Sequence, residues 1–430
     1  MALEDYRADA MRCTRCSYCK WIPFDLVKSW RFAKGCPSVE FGKFHSYSAG
    51  GRLVTALSLL EGRATVTEKV KDSVFKCTMC GQCDVSCKIC RYNMEPLAAM
   101  HELRVTLVEQ GHTLPQLAPV LDGLRHEFNM VGRPKKQRGD WAARLQVKDL
   151  TKEKAEFVFH AGCRYSFDGE LAPVAAMSVS ILKKSGLDFG IMGTHEHCCG
   201  GRPYHMGYAE DFATCSDFNL KAWTAAGVKT VITPCSDCYH TFKRLYTAER
   251  RSTIQVVHMV ELVDRMIKTG QLKLTRPVAM KVTYHDPCHL GRQGEPYVPW
   301  SGKEKKIFDQ AVCYDPPRPR YNGAWGVYEL PRDILKGIPG LELVEMERIK
   351  EASWCCGAGG GSYEAYPEFS RWTAHERIEE AMSTGADAIV TACPWCERNF
   401  LDAASGESRK MKVFDILELV QQAIEPGEIL

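Results

Sequence analysis

Residues 228–238 read VKTVITPCSDC, and this stretch decides the fold because residues 386–396 repeat its pattern as ADAIVTACPWC. In both stretches an apolar run, typical of a buried β-strand, ends just before a Cys-x-x-Cys pair. A second repeat lies upstream of each pair: residues 157–163 read FVFHAGC and residues 282–288 read VTYHDPC. The chain beyond residue 155 is therefore predicted to be an internal duplication.

Each half of this duplication is predicted to alternate strands and helices. A first strand ends near a cysteine, a helix leads to a Cys-Cys-Gly loop, and a further helix leads to the strand before the Cys-x-x-Cys pair. This alternation predicts α/β layers around a mainly parallel sheet. Ligands of such sheets collect at the carboxyl ends of the strands. Four cysteines are predicted to lie at those ends: Cys163, Cys235, Cys288 and Cys393.

The predicted fold class is an α+β multidomain chain. An α-helical ferredoxin-like module occupies residues 1–130, a linker residues 131–154, the first α/β half residues 155–275 and the second half residues 276–430. Within the linker, residues 132–140 (GRPKKQRGD) are basic and rich in turn formers. Two interpretations stay open for them: a solvated surface segment, or a docking patch for an acidic electron carrier.

The composition is that of an ordinary globular protein. The chain has 430 residues, of which 25% are charged and 45% hydrophobic, and its net charge is +3. So small a charge does not favour a nucleic-acid partner. The longest apolar run, residues 53–60, is too short for a membrane helix, and the first residues lack the apolar core of an export signal. A cytoplasmic location is predicted, with any membrane attachment through a partner.

Cysteines carry most of the functional information. Eighteen of the 21 fall into four ordered groups, and many form Cys-x-x-Cys pairs. A long chain without an export signal favours metal ligation over disulfides for such pairs. The four groups are Cys13, Cys16, Cys19 and Cys36; Cys77, Cys80, Cys83 and Cys87; Cys163, Cys198, Cys199, Cys235 and Cys238; and Cys288, Cys355, Cys356, Cys393 and Cys396.

The first two groups are typical of cubane [4Fe–4S] clusters. Each Cys-x2-Cys-x2-Cys run supplies three thiolates, and in two-cluster ferredoxins the fourth cysteine of one run serves the cluster of the other. This rule predicts two ligand sets: Cys13, Cys16, Cys19 and Cys87 for cluster one, and Cys77, Cys80, Cys83 and Cys36 for cluster two.

Two features depart from the ferredoxin pattern. Cys36 lies much farther from its run than usual, although Pro37 follows it, and Cys87 is followed by Lys88 instead of proline. Cys90 is therefore a rival ligand. The alternative of two zinc knuckles requires closed tetrahedral sets, usually of two Cys-x-x-Cys pairs, and fits the spacing less well.

The adjacent cysteines of the last two groups indicate an unusual metal site. Neighbouring side chains diverge, so two of them bind one tetrahedral metal poorly, whereas they bind different irons of a larger cluster more naturally. Five cysteines per half also exceed the four ligands of a cubane. A cluster of unusual shape, or a spare ligand that moves, is predicted.

This order of segments resembles the CCG-domain iron–sulfur family, whose best-known members are the B and D subunits of heterodisulfide reductase. Related chains occur as subunits of sulfite-reduction, glycolate oxidase and benzoyl-CoA reductase complexes. The resemblance extends over about residues 10–400 and includes all eighteen grouped cysteines in order. The fusion of a ferredoxin-like module with the duplicated module resembles the D-type chain.

The resemblance implies two noncubane four-iron clusters. Their ligands would be Cys163, Cys198, Cys199, Cys235 and Cys238 in the first half, and Cys288, Cys355, Cys356, Cys393 and Cys396 in the second. In heterodisulfide reductase the disulfide is thought to be split between two such clusters. The second half departs by a longer segment before its Cys-Cys pair, which includes DPPRPR at residues 315–320. Substrate identity is therefore not implied.

Several other residues have two interpretations each. His160 and His285, and likewise His197 and His289, lie near predicted ligands, where they would either hydrogen-bond a thiolate or deliver protons, or be structural. The glycines after Cys356 (Gly357, Gly359, Gly360 and Gly361) form either an anion nest for cluster sulfides or a plain tight loop. Cys215 is expected in the core, and Cys90 and Cys313 have no assigned role.

Two redox functions follow, and both place the chain in a larger anaerobic complex. In the first, the chain is a heterodisulfide-reductase-like oxidoreductase whose cubanes feed the paired-cysteine site, which acts on a disulfide or thiol. In the second, it only relays electrons between a flavoprotein and a quinone or another reductase, such as a benzoyl-CoA reductase type complex. The chain has no flavin or nucleotide fingerprint, so a flavoprotein or other donor subunit is expected. A zinc scaffold is the non-redox alternative.

Overall fold

Two parallel β-sheets built from the repeated apolar stretches form the centres of the two halves. The structure is a computed structural model, and the side chain of Cys90 lies outside its described part. It describes residues 2–90, 94–250, 252–298, 300–307, 311–405 and 411–424.

The N-terminal module is helical, as predicted. Its longest helices begin at good caps: the Ser48 hydroxyl accepts a hydrogen bond from Gly51 N at 3.0 Å, and Thr67 caps the next helix in the same way. In the part of the chain that the structure describes, no helix combines the length and apolarity needed to cross a bilayer. The helices are α1 (Arg7–Arg12), α2 (Pro37–Gly42), α3 (Ala49–Leu60), α4 (Glu68–Phe75), α5 (Gln82–Cys90), α6 (Pro96–Glu109) and α7 (Ala118–Glu127).

The first half contains a five-stranded parallel sheet with the order β1-β3-β2-β4-β5. Its strands are β1 (Lys148–Asp149), β2 (Phe157–Phe159), β3 (Phe189–Ile191), β4 (Thr230–Thr233) and β5 (Gln255–His258). Its helices are α8 (Gly162–Phe167), α9 (Ala172–Ser185), α10 (Gly201–Met206), α11 (Ala209–Ala225), α12 (Ser236–His240), α13 (Tyr246–Arg250) and α14 (Met259–Lys268), with a π-helical turn at Thr241–Leu245.

The second half repeats this arrangement with a four-stranded parallel sheet of order β11-β10-β6-β9, and a separate antiparallel hairpin pairs β7 with β8. The strands are β6 (Met280–Tyr284), β7 (Lys303–Ile307), β8 (Ala311–Asp315), β9 (Leu341–Leu343), β10 (Ala388–Thr391) and β11 (Lys412–Asp415). The helices are α15 (Glu329–Gly337), α16 (Ser362–Ala365), α17 (Pro367–Ser383), α18 (Pro394–Ala404) and α19 (Ile416–Ala423).

The two sheets correspond strand for strand, so the predicted α/β duplication is confirmed. β3-β2-β4-β5 matches β9-β6-β10-β11, and the central strands β4 and β10 end two residues before Cys235 and Cys393. The halves also pack on each other, with α9 against α19 and α14 against α15. A hydrogen bond of 2.6 Å from the Ser236 hydroxyl to the Ala392 carbonyl joins their central loops.

The segment expected to be a linker, residues 131–154, is partly integrated into the first half. Strand β1 pairs with β3, and Arg138 is only 1% exposed. The expectation of a wholly solvated basic stretch is therefore wrong at Arg138, because its guanidinium is drawn inward by Glu196 at 2.7 Å. The neighbouring lysines, Lys135 and Lys136, remain exposed.

Buried arginines join the N-terminal module to the duplicated module. From α6, Arg104 donates hydrogen bonds to the carbonyls of Cys77, His205 and Gly360 at 2.7–2.8 Å. Burial lowers the pKa of Arg104 to about 10, so it stays charged at neutral pH. Each of these carbonyls would cost about 1–3 kcal/mol if left buried without a partner.

Glycines allow the same junction to close. A Cβ on Gly359 would lie 2.3 Å from the Thr78 carbonyl oxygen, and one on Gly360 would lie 2.5 Å from that of Cys77. The backbone after the second Cys-Cys pair thus touches the backbone of the Cys77–Cys80 loop. This close approach is the function that the structure gives to these two glycines.

Replacing Gly359 with Ala is expected to lower the free energy of unfolding by ~1–3 kcal/mol, because the added methyl must push two backbones apart. Gly169→Ala is the matched control, since its Cβ would meet nothing within 4 Å. Thermal unfolding of both variants measures the effect. Equal midpoints for the two variants would show that the junction does not depend on this contact.

Candidate metal centres

The first ferredoxin-type run encloses a cavity near the surface. Its volume is about 440 Å³, and Trp21, Phe24 and Met94 contribute to its walls. Cys16 is the exposed member of the group and Cys19 is buried. The four cysteines that line this cavity, here called the outer set, are Cys13, Cys16, Cys19 and Cys87, the combination expected for cluster one.

The second run surrounds a smaller and more enclosed space of about 20 Å³. Arg52 donates to the Lys76 carbonyl at 2.9 Å, and Arg292 donates to the Cys80 carbonyl at 2.6 Å, so two guanidinium groups fix the loop. The four cysteines here, called the inner set, are Cys36, Cys77, Cys80 and Cys83, the combination expected for cluster two.

The outer and inner sets are neighbours. Cys19 and Cys83 belong to one buried cluster with Ala49 and Met100. Beside them, Lys88 is fully buried between Asp84 and Glu95.

The ten cysteines of the two halves form two groups with the same pattern of contacts. In each group, neighbouring thiols along the series are within hydrogen-bonding contact. The first paired set runs Cys163, Cys198, Cys199, Cys238, Cys235, and the second paired set runs Cys288, Cys355, Cys356, Cys396, Cys393.

The first paired set lies against a buried ion pair. The guanidinium of Arg138 is 3.6 Å from the Cys163 sulfur, and Glu196 accepts hydrogen bonds from Arg138 and from the backbone of Ala161 and Gly162. A hydrogen bond from Cys198 lowers the pKa of Cys163 to about 7; burial opposes this effect and the Arg138 charge assists it. Arg138 and Glu196 thus stabilise a thiolate at the first position of the set.

The second paired set lies against a histidine held by an arginine. Arg377 donates from Nε to Nδ1 of His285 at 3.1 Å and from a terminal nitrogen to the Ser353 hydroxyl at 3.1 Å. A ring nitrogen of His285 lies within 4.8 Å of the sulfurs of Cys356 and Cys396. His285 therefore faces thiols, as one of its two interpretations expected.

The inner set and the two paired sets also touch in a fixed order. The thiol of Cys80 is in hydrogen-bonding contact with that of Cys355, which joins the inner set to the second paired set. The thiols of Cys235 and Cys393 are likewise in contact, which joins the two paired sets. Arg292 supports the first of these junctions, since it also donates to the Ser353 carbonyl at 2.6 Å.

Other residues singled out from the sequence have structural surroundings. His160 meets Trp223 and Phe242 edge to face, and its ring nitrogens have no hydrogen-bond partner within the described residues. His197 is stacked between Phe128 and Phe218.

The remaining cysteines differ in their surroundings. Cys215 is buried, as expected of a core residue, and contacts Cys198. Cys313 is exposed on the β7–β8 hairpin, apart from the four sets.

The glycine loops supply main-chain donors to the paired sets. Gly357 N lies 3.3 Å from the Cys355 sulfur, and Gly201 N lies 3.5 Å from the Cys199 sulfur. The first contact is that of a backbone donor in an anion nest. The glycine loop therefore combines a donor to sulfur with the close packing described above.

The arginines around the sets were missed in the sequence. Arg104, Arg138, Arg292 and Arg377 are all 5% exposed or less, yet none of them adjoins a predicted ligand along the chain. Only Arg138 lies in a stretch that had attracted notice, and there the cluster of positive charge indicated a surface.

Comparison with known proteins agrees with this architecture. Residues 9–89 match a 4Fe-4S dicluster domain, and residues 157–243 and 313–400 match the cysteine-rich domain CCG. The second match begins at Cys313, whereas the structure brings Cys288 to Cys355.

Three relatives illustrate the similarity. The D chain of dihydromethanophenazine:CoB–CoM heterodisulfide reductase from Methanosarcina mazei is 30% identical, with 96% of this chain and 93% of that protein aligned. EtfAB:quinone oxidoreductase from Syntrophomonas wolfei is 28% identical over 82% of this chain and 47% of its own length. The probable iron-sulfur-binding oxidoreductase FadF from Bacillus subtilis is 25% identical over 94% of this chain and 53% of its own length.

These matches agree with the resemblance inferred from the order of the cysteines. They also show that the ferredoxin-like module and both α/β halves correspond to domains that bind iron–sulfur clusters or are rich in cysteine. The chain therefore belongs to the HdrD-type family of iron–sulfur oxidoreductase subunits, that of the D chain of heterodisulfide reductase.

Proposed function

We propose that the chain is the iron–sulfur subunit of a larger redox complex that acts on a disulfide or its thiols. The outer and inner sets are the ligands of two cubane [4Fe–4S] clusters. The first and second paired sets are the ligands of two noncubane four-iron clusters. Membership of the HdrD-type family, with its dicluster domain and two CCG domains, supports the oxidoreductase role.

The observation that carries this proposal is the continuous order of the four cysteine sets. Cys19 and Cys83 pack together, Cys80 contacts Cys355, and Cys393 contacts Cys235. A site for electron entry near the surface is thus connected, through neighbouring sulfurs, to a pair of sites in the interior. Such an order suits the transfer of reducing equivalents inward from a docked donor.

The donor groups fit iron–sulfur clusters. All eighteen grouped cysteines are free thiols, and thiolate is the usual ligand in such clusters. Bound clusters would supply one-electron transfer along the series and, at the paired sets, the two electrons that convert a disulfide into two thiols.

The protein's own residues prepare these sites in two ways. Backbone N–H groups of Met79, Gly201 and Gly357 point at cysteine sulfurs at 3.3–3.5 Å, and such donors stabilise negative charge on sulfur. Arg138 places a positive charge beside the first paired set, where it offsets the charge of the thiolates. The burial of the inner and paired sets keeps water from the reacting sulfurs.

The electron donor is another protein. The sequence has no flavin or nucleotide fingerprint, so a flavoprotein or another donor subunit has to supply the electrons. The relative from Methanosarcina mazei is itself named as one subunit of a reductase, which supports assembly with further subunits.

Similarity to an EtfAB:quinone oxidoreductase favours a second candidate function. In that case the same four sets only relay electrons between a flavoprotein and a quinone or another reductase. The continuity of the sets suits this function equally well, whereas two complete five-cysteine sets favour chemistry at the inner end.

Anaerobically purified protein is expected to contain about 16 iron atoms and a similar amount of acid-labile sulfide per chain, as four four-iron clusters require. Colorimetric iron and sulfide analysis measures both. About half of that amount would leave the paired sets without clusters, and stoichiometric zinc in place of iron would contradict the proposal.

Replacing Cys355 with Ala is expected to reduce disulfide turnover by at least about 100-fold, the loss typical of removing a group that acts within a reaction site. Reduced viologen dye serves as the artificial donor, and its oxidation is followed optically. Cys313→Ala is the matched control because Cys313 is exposed on the hairpin. If the unmutated protein turns over no disulfide but passes electrons to a partner subunit, the relay function is correct.

Replacing Arg138 with Gln is expected to make the reduction potential of the first paired site more negative by about 60 mV or more, because reduction adds negative charge beside the lost cation. Arg138→Lys keeps the charge and is expected to shift the potential by less than half as much. Potentiometric titration followed by electron paramagnetic resonance measures the shift. An unchanged potential in the Gln variant would assign Arg138 a purely structural role.

A further inference from the structure

Three buried histidines from both halves meet in the interior outside the four cysteine sets. One ring nitrogen each of His205, His240 and His289 lies within 4.8 Å of the other two. The rings are stacked, with centroids of His240 and His289 4.7 Å apart and those of His205 and His289 5.0 Å apart. None of the three is more than 6% exposed.

The surroundings of two of the rings fix which nitrogen is available. Nδ1 of His240 lies 2.8 Å from the carbonyl oxygen of Gln293, and Nδ1 of His289 lies 2.7 Å from a carboxylate oxygen of Asp237. Both neighbours are acceptors, so each Nδ1 carries the proton and each Nε2 keeps its lone pair. Nε2 of His289 has no hydrogen-bond partner among the described residues.

This pattern is that of histidines prepared for a metal. Metal-binding histidines commonly donate their second ring nitrogen to a carboxylate or a backbone carbonyl, which fixes the tautomer and orients the ring. Buried polar nitrogens without partners are rare in native proteins. Three imidazole groups with open nitrogens facing one another therefore need an occupant that accepts their lone pairs.

We propose that His205, His240 and His289 bind one divalent transition-metal ion of the zinc type, separate from the iron–sulfur clusters. Imidazole suits Zn²⁺, and three histidines with an open fourth position are a known arrangement for this ion. Nitrogens bound to one Zn²⁺ at ~2.1 Å lie about 3.4 Å apart, so the rings need to close by about 1 Å.

The position of the site gives it a structural consequence. His205 lies on α10 and His240 ends α12 of the first half, whereas His289 directly follows Cys288 of the second half. The ion would cross-link the two halves beside both paired sets. Because the site is buried, the ion enters during folding, and the protein for the test is produced with zinc in the growth medium.

The first test measures the metal in the full-length protein, purified anaerobically with its iron. We expect about one zinc per chain by mass spectrometry of the elements, and zinc X-ray absorption that shows nitrogen neighbours at ~2.0 Å without sulfur. Protein without zinc, or zinc with sulfur neighbours at ~2.3 Å, overturns the proposal, since the second result would mean zinc in the cysteine sets.

The second test uses His205→Ala, because His205 lies six residues beyond the nearest grouped cysteine, Cys199. This variant is expected to lose at least nine-tenths of the zinc and to keep its iron. His126→Ala is the control, since His126 is exposed, and it is expected to keep both metals. Zinc retained in the His205 variant overturns the proposal. If that variant loses its iron and fails to fold, the absorption spectrum of the unmutated protein decides.

Discussion

Buried guanidinium groups that donate to main-chain carbonyls are the interactions on which the arrangement of the cysteine sets depends. Arg104 joins the Cys77 loop to the carbonyls of His205 and Gly360, and Arg292 joins Cys80 to Ser353. A guanidinium has five donors in a rigid plane and can therefore hold several loops at once. Hydrophobic packing alone has no such directionality, and it would not fix the register between two cysteine loops.

The duplication explains the symmetry of the paired sets, and the differences between the halves give each set its own electrostatics. Both series of five thiols have the same contact pattern. Beside the first, a guanidinium neutralised by Glu196 contacts Cys163 directly. Beside the second, Arg377 acts through His285. Two sites of the same construction are thus given different local charges, which is the simplest way for one fold to separate two potentials.

The sequence was sufficient for those features that spacing and periodicity encode. The parallel α/β halves, the helical first module and the grouping of eighteen cysteines follow from local patterns, and the structure brings those cysteines together in the four expected groups. The contact between Cys80 and Cys355 depends on how modules pack, which no local pattern records. The same holds for Arg138, whose burial results from a carboxylate far along the chain.

Solvent reaches this series of sites at one end only, where Cys16 is exposed at the rim of the outer cavity. Dioxygen and other oxidants would therefore attack the outermost site first, while the interior sites remain shielded by the fold. Damage of this kind disconnects the protein from its donor without unfolding it. In air, the chain would stop conducting long before it loses its shape.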